Sequence, residues 1–281
     1  MAIRSLVQHL NPDPASELPG WATAPISDTQ LALVNSAGAA ADWPALRTVI
    51  EEHTDVLLAR ATRAALGALT YLVPDHRAAH LLLDLLDEIA AVGLPATLQD
   101  HQHDHDRLSL LLEWMRTPSW EASFAFHHEH QASLATAEVR AQLADLDDDT
   151  ARQHKAILDL TDMFALDSVY AVVTDPNAAE EAALDSIENG RLDQLAPLAT
   201  ASTSLHRREP TMALLAAVLM LADGQPAEAK ELIQQIAEHI ESTQRRAYVV
   251  HLRGLEGHYP DLQGIDDLIA TLSNFTEADG G

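Results

Sequence analysis

The chain has 281 residues, of which 17 are Lys or Arg and 43 are Asp or Glu, giving a formal net charge of −26. That balance argues against binding to a nucleic-acid backbone or to an anionic membrane surface, because both require clustered cations. The absence of Cys excludes disulfides, thiolate catalysis and Cys-ligated zinc. An aromatic content of 4% also argues against a small-molecule pocket of the usual aromatic-lined kind.

The apolar fraction of 47% is ample for the core of one large domain or two smaller ones. The sequence contains no secretory signal and no run of about 20 apolar residues, so we expect a cytoplasmic protein with no membrane partner. Lysine occurs only at positions 155 and 230, and alanine is abundant. That composition is typical of a GC-rich bacterial genome.

The N-terminal half is predicted to consist of an arm followed by helices. Residues 1–27 are predicted to be a proline-rich N-terminal arm, because prolines at positions 12, 14, 19 and 25 do not allow regular structure. Residues 28–140 are predicted to be an N-terminal helical domain. In it, Asp42 and Thr54 are expected to cap helices, and residues 120–137 to form one helix.

The C-terminal half is more acidic. Residues 141–272 are predicted to be an acidic helical repeat domain, and residues 273–281 a flexible tail. The run Asp147-Asp148-Asp149 predicts a helix start, because carboxylates favour the positive N-terminal end of a helix. The β-branched run 168–174 is expected to be helical because of its flanks. The predicted fold class is therefore all-α, built from antiparallel helical hairpins.

Three segments of the repeat domain align when the sequence is shifted by 34 residues. Their matching apolar triplets begin at Ala182, Ala216 and Val250. Two pairs of prolines keep the same shift, at positions 176 and 210 and at positions 226 and 260. Self-similarity of this length is typical of a solenoid of helix–turn–helix units, in which each unit buries its apolar stripe against a neighbour.

The middle unit, residues 211–241, resembles a tetratricopeptide repeat. The matching residues are Ala217, Gly224 and Ala229, followed by Ile233 and Ile236. The resemblance implies a tetratricopeptide-like right-handed solenoid in the C-terminal half. It also implies a scaffold that binds a peptide or protein.

In the two flanking units the likeness to that family is lower. Leu195 and Gln263 stand at the position that Ala229 occupies in the middle unit. The aromatic positions of the family are mostly aliphatic in this chain.

Histidine is in excess, with 15 residues, and two clusters combine it with carboxylates. On a helix His101 and His105 share one face, and so do His127 and His130. Imidazole and carboxylate together suit zinc or iron, and two such pairs on antiparallel helices would form a four-ligand site. The simpler interpretation is that both clusters are solvent-exposed turns.

The histidines also suggest a response to pH. An imidazole beside a carboxylate is expected to hold its proton more tightly, since the opposite charge favours the charged form. Acidification to about pH 5–6 is therefore predicted to offset part of the negative charge and promote association.

Our leading hypothesis is a protein- or peptide-binding scaffold of a bacterial regulatory or assembly system, with no cofactor and no favoured enzymatic activity. Candidate contacts to an acidic peptide terminus are the arginine pairs Arg207 and Arg208, and Arg245 and Arg246. The alternative is an all-helical His/carboxylate metal-dependent enzyme of the non-haem iron type, using zinc or iron. A further alternative is an acidic mimic that occupies a basic surface of a partner. The expected partner is a protein or peptide, and the negative net charge favours a basic one. Whether the chain forms a homo-oligomer is left open by the sequence.

Overall fold

A computed structural model of the chain describes residues 27–72, 75–202 and 209–278. Every regular element in those ranges is a helix and none is a strand, which confirms the all-α prediction. Residues 1–26 of the predicted arm lie outside the described ranges, as do residues 279–281 of the predicted tail. Residues 273–278 of that tail continue the last helix.

The chain forms two compact units, Met1–Arg107 and Leu108–Gly281. The predicted boundary between residues 140 and 141 falls inside the second unit. We refer to them as unit 1 and unit 2.

Unit 1 is a group of helices around an aliphatic core. Its helices are α1 (Asp28–Gly38), α2 (Trp43–Leu57), α3 (Arg60–Leu72), α4 (Arg77–Val92) and the first part of α5 (Leu94–Met115). Its buried residues include Val34, Ile50, Leu57, Leu66, Leu82, Leu86, Ile89 and Leu98.

Of the caps predicted at Asp42 and Thr54, the first is confirmed and the second is wrong. The carboxylate of Asp42 accepts a hydrogen bond from the N–H of Ala45 at 2.9 Å, so it caps α2 as predicted. Thr54 instead follows a kink in α2 at His53, and its hydroxyl donates to the carbonyl of Ile50 four residues earlier. A threonine can satisfy its hydroxyl in this way within a helix, so the residue type alone does not mark a helix start.

Unit 2 begins with the end of α5 and five further helices. These are α6 (Trp120–Glu129), α7 (Gln131–Leu134), α8 (Ala137–Asp145), α9 (Asp149–Thr161) and α10 (Leu166–Thr174). The prediction of one helix over residues 120–137 is wrong, because α6 ends at Glu129 and α8 begins at Ala137. Thr136 caps α8 by accepting from the N–H of Val139 at 3.3 Å. The predicted helix start at the Asp147–Asp149 run and the helical state of residues 168–174 are confirmed.

The rest of unit 2 consists of three helical hairpins. They are α11 (Pro176–Glu188) with α12 (Leu192–Ala201), α13 (Glu209–Ala222) with α14 (Pro226–Ala237), and α15 (Ser242–His258) with α16 (Ile265–Ala278). Within each hairpin the two helices pack against each other. Gly190 and Gly224, which are separated by the same shift as the apolar triplets, make the first two turns with φ of 67° and 74°. Glycine adopts that left-handed backbone without a steric penalty, so the repeated glycines set the repeated turns.

The third hairpin departs from the repeat in its turn. Pro226 opens α14, but Pro260, which matches it in the alignment, lies in the connection before α16 begins at Ile265. This longer connection contacts the first hairpin, where the hydroxyl of Tyr259 donates to the carbonyl of Gly190 at 2.9 Å. The extra residues in the third turn therefore join two hairpins that are not consecutive in the chain.

The same two hairpins meet along α11 and α15. A Cβ placed on Gly254 of α15 would stand 2.6 Å from the backbone oxygen of Glu188 at the end of α11. One turn earlier, Nδ1 of His251 lies 2.8 Å from a carboxylate oxygen of Glu188. A stack in which each unit contacts only its neighbours has no such contact, so in this respect the packing differs from a linear solenoid.

We predict that Gly254→Ala lowers the free energy of unfolding by about 1–3 kcal/mol, because the methyl group forces the two helix backbones apart. Gly257→Ala is the matched control in the same helix, where nothing lies within 4 Å of the added Cβ. It should raise stability by up to about 1 kcal/mol, since alanine favours the helix over glycine. Urea unfolding followed by circular dichroism measures both, and equal effects of the two substitutions would contradict the close contact.

Candidate functional site

The first predicted histidine pair lies on α5 in unit 1. Nε2 of His101 is 3.0 Å from a carboxylate oxygen of Glu88, and its ring stacks on Trp43 with centroids 5.3 Å apart. His105 is half-buried on the same helix. Both histidines are therefore partly covered, and His101 is held by side chains of α2 and α4.

The second predicted pair, on α6 in unit 2, is divided between core and surface. His127 is fully buried, whereas His130 ends the helix and packs its ring against Phe126 at 4.5 Å. Across the described ranges, no group of three or more His, Asp or Glu side chains is arranged to hold a metal ion. The site of His101, His105, His127 and His130 stays a prediction that no arrangement of ligands supports.

A cluster of one serine and four aromatic or imidazole side chains is buried in unit 2, and we call it the histidine cluster. It consists of Trp114, Ser123, His127, His154 and Tyr170, each at most 5% exposed. The Tyr170 hydroxyl accepts from Nε1 of Trp114 at 3.3 Å and lies 3.0 Å from the Ser123 hydroxyl. It is also 3.4 Å from Nδ1 of His127. This single hydroxyl links α5, α6 and α10.

The two imidazoles of the cluster both pack against one indole. Trp114 meets the ring of His127 at a centroid distance of 4.9 Å and the ring of His154 at 4.5 Å, both edge to face. Nδ1 of His154 lies 2.8 Å from the carbonyl oxygen of Thr150, which makes that nitrogen the N–H donor. Nε2 of His127 and Nε2 of His154 have no hydrogen-bond partner among the described residues.

This environment favours neutral histidine. Burial lowers the pKa of His127 to about 4, with a smaller contribution from the nearby His154. Burial also lowers the pKa of His154, although its hydrogen bond to Thr150 acts in the opposite direction. The prediction that these histidines hold their protons more tightly is wrong for His127, because desolvation outweighs any carboxylate nearby in the sequence.

The second feature of unit 2 is an open groove of about 760 Å³, which we call the acidic groove. It is bounded by the segment after α9, by α10, by α11 and by His251 of α15. Apolar or small lining residues are Phe164, Ser168, Ala171, Val172, Ala178, Ala182 and Leu184, and acidic ones are Glu180, Glu181, Asp185 and Glu188. Among the described residues that line it there is no Lys or Arg.

Neither Arg245 nor Arg246, the described arginines among those predicted to bind a peptide, lines this groove. Arg207 and Arg208 lie outside the described residues. Arg245 is 3% exposed and its guanidinium donates to the carbonyl of Ala237, the last residue of α14, and to the carbonyl of Ile240 in the connection that follows. Arg246 is exposed on α15, so it is accessible to a surface ligand. Peptide binding by these arginines stays a prediction.

The sequence contains signals for both the histidine cluster and the acidic groove. On α9, His154 stands three residues after Ala151 and four before Leu158, so helical spacing places it on the buried stripe. On α11, Glu181, Asp185 and Glu188 follow one another at spacings of four and three, which puts them on one face. In the sequence these carboxylates are not distinguished from the others of the acidic helical repeat domain. The neighbouring helices, which turn this face into a groove, are not visible in the local pattern.

Comparison with known proteins identified no relative: no family model, no curated protein and no solved structure matches the chain. Within the described ranges, none of the helices has the length and apolar character needed to cross a membrane. Function is therefore inferred from this chain's own residues.

We predict that His127 makes the stability of unit 2 depend on pH. Its folded pKa of about 4 lies below the unfolded value of about 6.5, so the unfolded chain binds the extra proton between those values. The contribution of His127 to the free energy of unfolding is complete above about pH 6.5. It falls by about 1.4 kcal/mol per pH unit as the pH drops towards 4.

Between pH 7 and pH 5, wild type should therefore lose about 2 kcal/mol more stability than His127→Gln, which has no titrating group at that position. His128→Gln on the exposed side of α6 is the control and should follow wild type. Urea unfolding monitored by tryptophan fluorescence measures the difference. The same pH dependence in wild type and His127→Gln would show that the buried imidazole is not kept neutral.

Proposed function

We propose that this protein is a scaffold that binds a segment of a partner protein in the acidic groove. The observation that carries the proposal is the groove itself, a concave surface of about 760 Å³ in which apolar residues are bordered by carboxylates. Volumes of a few hundred to about a thousand cubic ångströms are typical of binding pockets.

The walls of the groove are fixed by contacts outside it, which supports a binding role. Tyr170 anchors α10 through its hydroxyl in the histidine cluster, and Gly254 lets α15 pack directly on the end of α11. A site that is ordered before its ligand arrives avoids part of the entropy cost of binding. The groove therefore has the rigid support that a recognition surface needs.

We assign the hairpins α11–α16 to a scaffold of the tetratricopeptide kind. The finer proposal is a right-handed solenoid that departs from a linear stack by the contact between its first and third hairpins. In support, Ala217 of α13 and Ala229 of α14 are both fully buried where these two helices pack, so small residues lie at the contact. The resemblance implies binding of peptides by the helix faces. The contact between α11 and α15 adds one end wall, His251, to the proposed groove.

A position-specific cross-linking experiment tests this function. The photoreactive residue p-benzoylphenylalanine would replace Glu181 at the edge of the groove or, as a matched control, the exposed Glu228 on α14, which does not line it. After irradiation in an extract of the cells that make the protein, we expect a discrete adduct from position 181 that is absent from position 228. Mass spectrometry of the adduct identifies the partner segment.

Competition makes the result specific. Excess unlabelled wild type should suppress the adduct, whereas Ala182→Trp, which fills the groove, should not suppress it. Circular dichroism checks that this variant is folded. No adduct at position 181, or the same adducts from both positions, would contradict the proposal.

A further inference from the structure

The floor of the acidic groove suits one or two apolar side chains of a ligand. Ala171, Val172 and Ala182 are small or medium-sized, and Phe164 and Leu184 are both half-buried at its surface. An inserted side chain would remove this apolar surface from water along with its own. The floor alone does not distinguish between ligands of different charge.

The edge of the groove supplies that distinction. Glu180, Glu181, Asp185 and Glu188 all belong to α11. Glu180 accepts a hydrogen bond from the hydroxyl of Thr211 at 2.7 Å, and two of the other three carboxylates have a basic partner. Asp185 lies 3.2 Å from the guanidinium of Arg191, and Glu188 is paired with His251. Glu181 is exposed, and its carboxylate makes no hydrogen bond or ion pair with a described residue. The edge therefore carries an excess of negative charge that a cationic ligand would offset.

The spacing of the carboxylates limits what the ligand looks like. Glu181 and Glu188 are seven residues apart on one helix, a separation of about 10 Å at 1.5 Å per residue. Two cationic side chains at that distance, with an apolar side chain between them, would meet both carboxylates and the floor together. An acidic or phosphorylated segment would instead bring like charges together at this edge.

We propose that the acidic groove takes a basic segment of a partner protein, in which two Arg or Lys side chains about 10 Å apart flank an apolar side chain. This inference rests on the proposed function and names the chemistry of its partner. The basic side chains bind the carboxylates of α11, and the apolar side chain lies on the floor between α10 and α11.

The inference is tested by the binding of four defined probes to the full-length protein. Fluorescence anisotropy measures binding of the three peptides, and calorimetry measures binding of the fourth probe. The first is a short fluorescent peptide with the proposed pattern. In the second peptide Glu replaces the basic residues, and in the third Ser replaces the apolar residue. The fourth probe is spermine, a small cation without an apolar side chain. We expect saturable one-to-one binding of the first probe only, and weaker binding at higher salt, as exposed charge pairs require.

Charge reversal at one position locates the binding site. Glu181→Lys should weaken binding of the first peptide by about tenfold, because it turns an attraction into a repulsion. Glu228→Lys changes the net charge by the same amount away from the groove, so it should change the affinity less than about twofold. The pair separates a local contact from the general effect of the acidic surface.

Several outcomes would overturn the inference. These are no binding of the first peptide, equal binding of the Glu- or Ser-containing peptide or of spermine, and equal effects of the two charge reversals. The cross-linking experiment keeps this separate from the function proposed above. If position 181 captures a partner segment without basic residues, the scaffold function stands and the basic-segment inference fails. If it captures nothing, the scaffold function itself fails.

Discussion

The contact between Gly254 and the end of α11 is the constraint on which the geometry of unit 2 depends most. A Cβ at that position would stand 2.6 Å from the carbonyl oxygen of Glu188, so only glycine allows the two helices to come this close. The close contact brings His251 to the groove and lets Tyr259 reach Gly190. One residue without a side chain thus determines where the first and third hairpins meet.

The histidine cluster applies a second constraint, on charge. Two imidazoles share one indole in a region from which water is excluded, so neither gains from being protonated. Tyr170 links that cluster to α10, whose residues Ala171 and Val172 line the acidic groove. The groove wall and the charge-free core are therefore two sides of the same helix.

Local pattern was enough to predict the all-α class and the three hairpins. The glycines that recur at the spacing of the units mark turns, because a positive φ is a property of a single residue. The pattern failed where a distant contact decides the structure. The third turn, around Pro260, is longer than the first two, and in it Tyr259 binds the carbonyl of Gly190 in the first hairpin. Nothing near Pro260 in the sequence indicates that partner. The same holds for the histidines, since the excess was visible but the burial of His127 depends on Trp114 and Tyr170.

The contact between the first and third hairpins also bears on how this chain could change in evolution. An array of repeats joined only to their neighbours can gain or lose a terminal repeat and keep the remainder folded. Here the last hairpin covers the first, through the contact of Gly254 with Glu188. Deletion of α15 and α16 would expose α11 and remove an end wall of the groove. We therefore expect the three hairpins to be inherited as a fixed set.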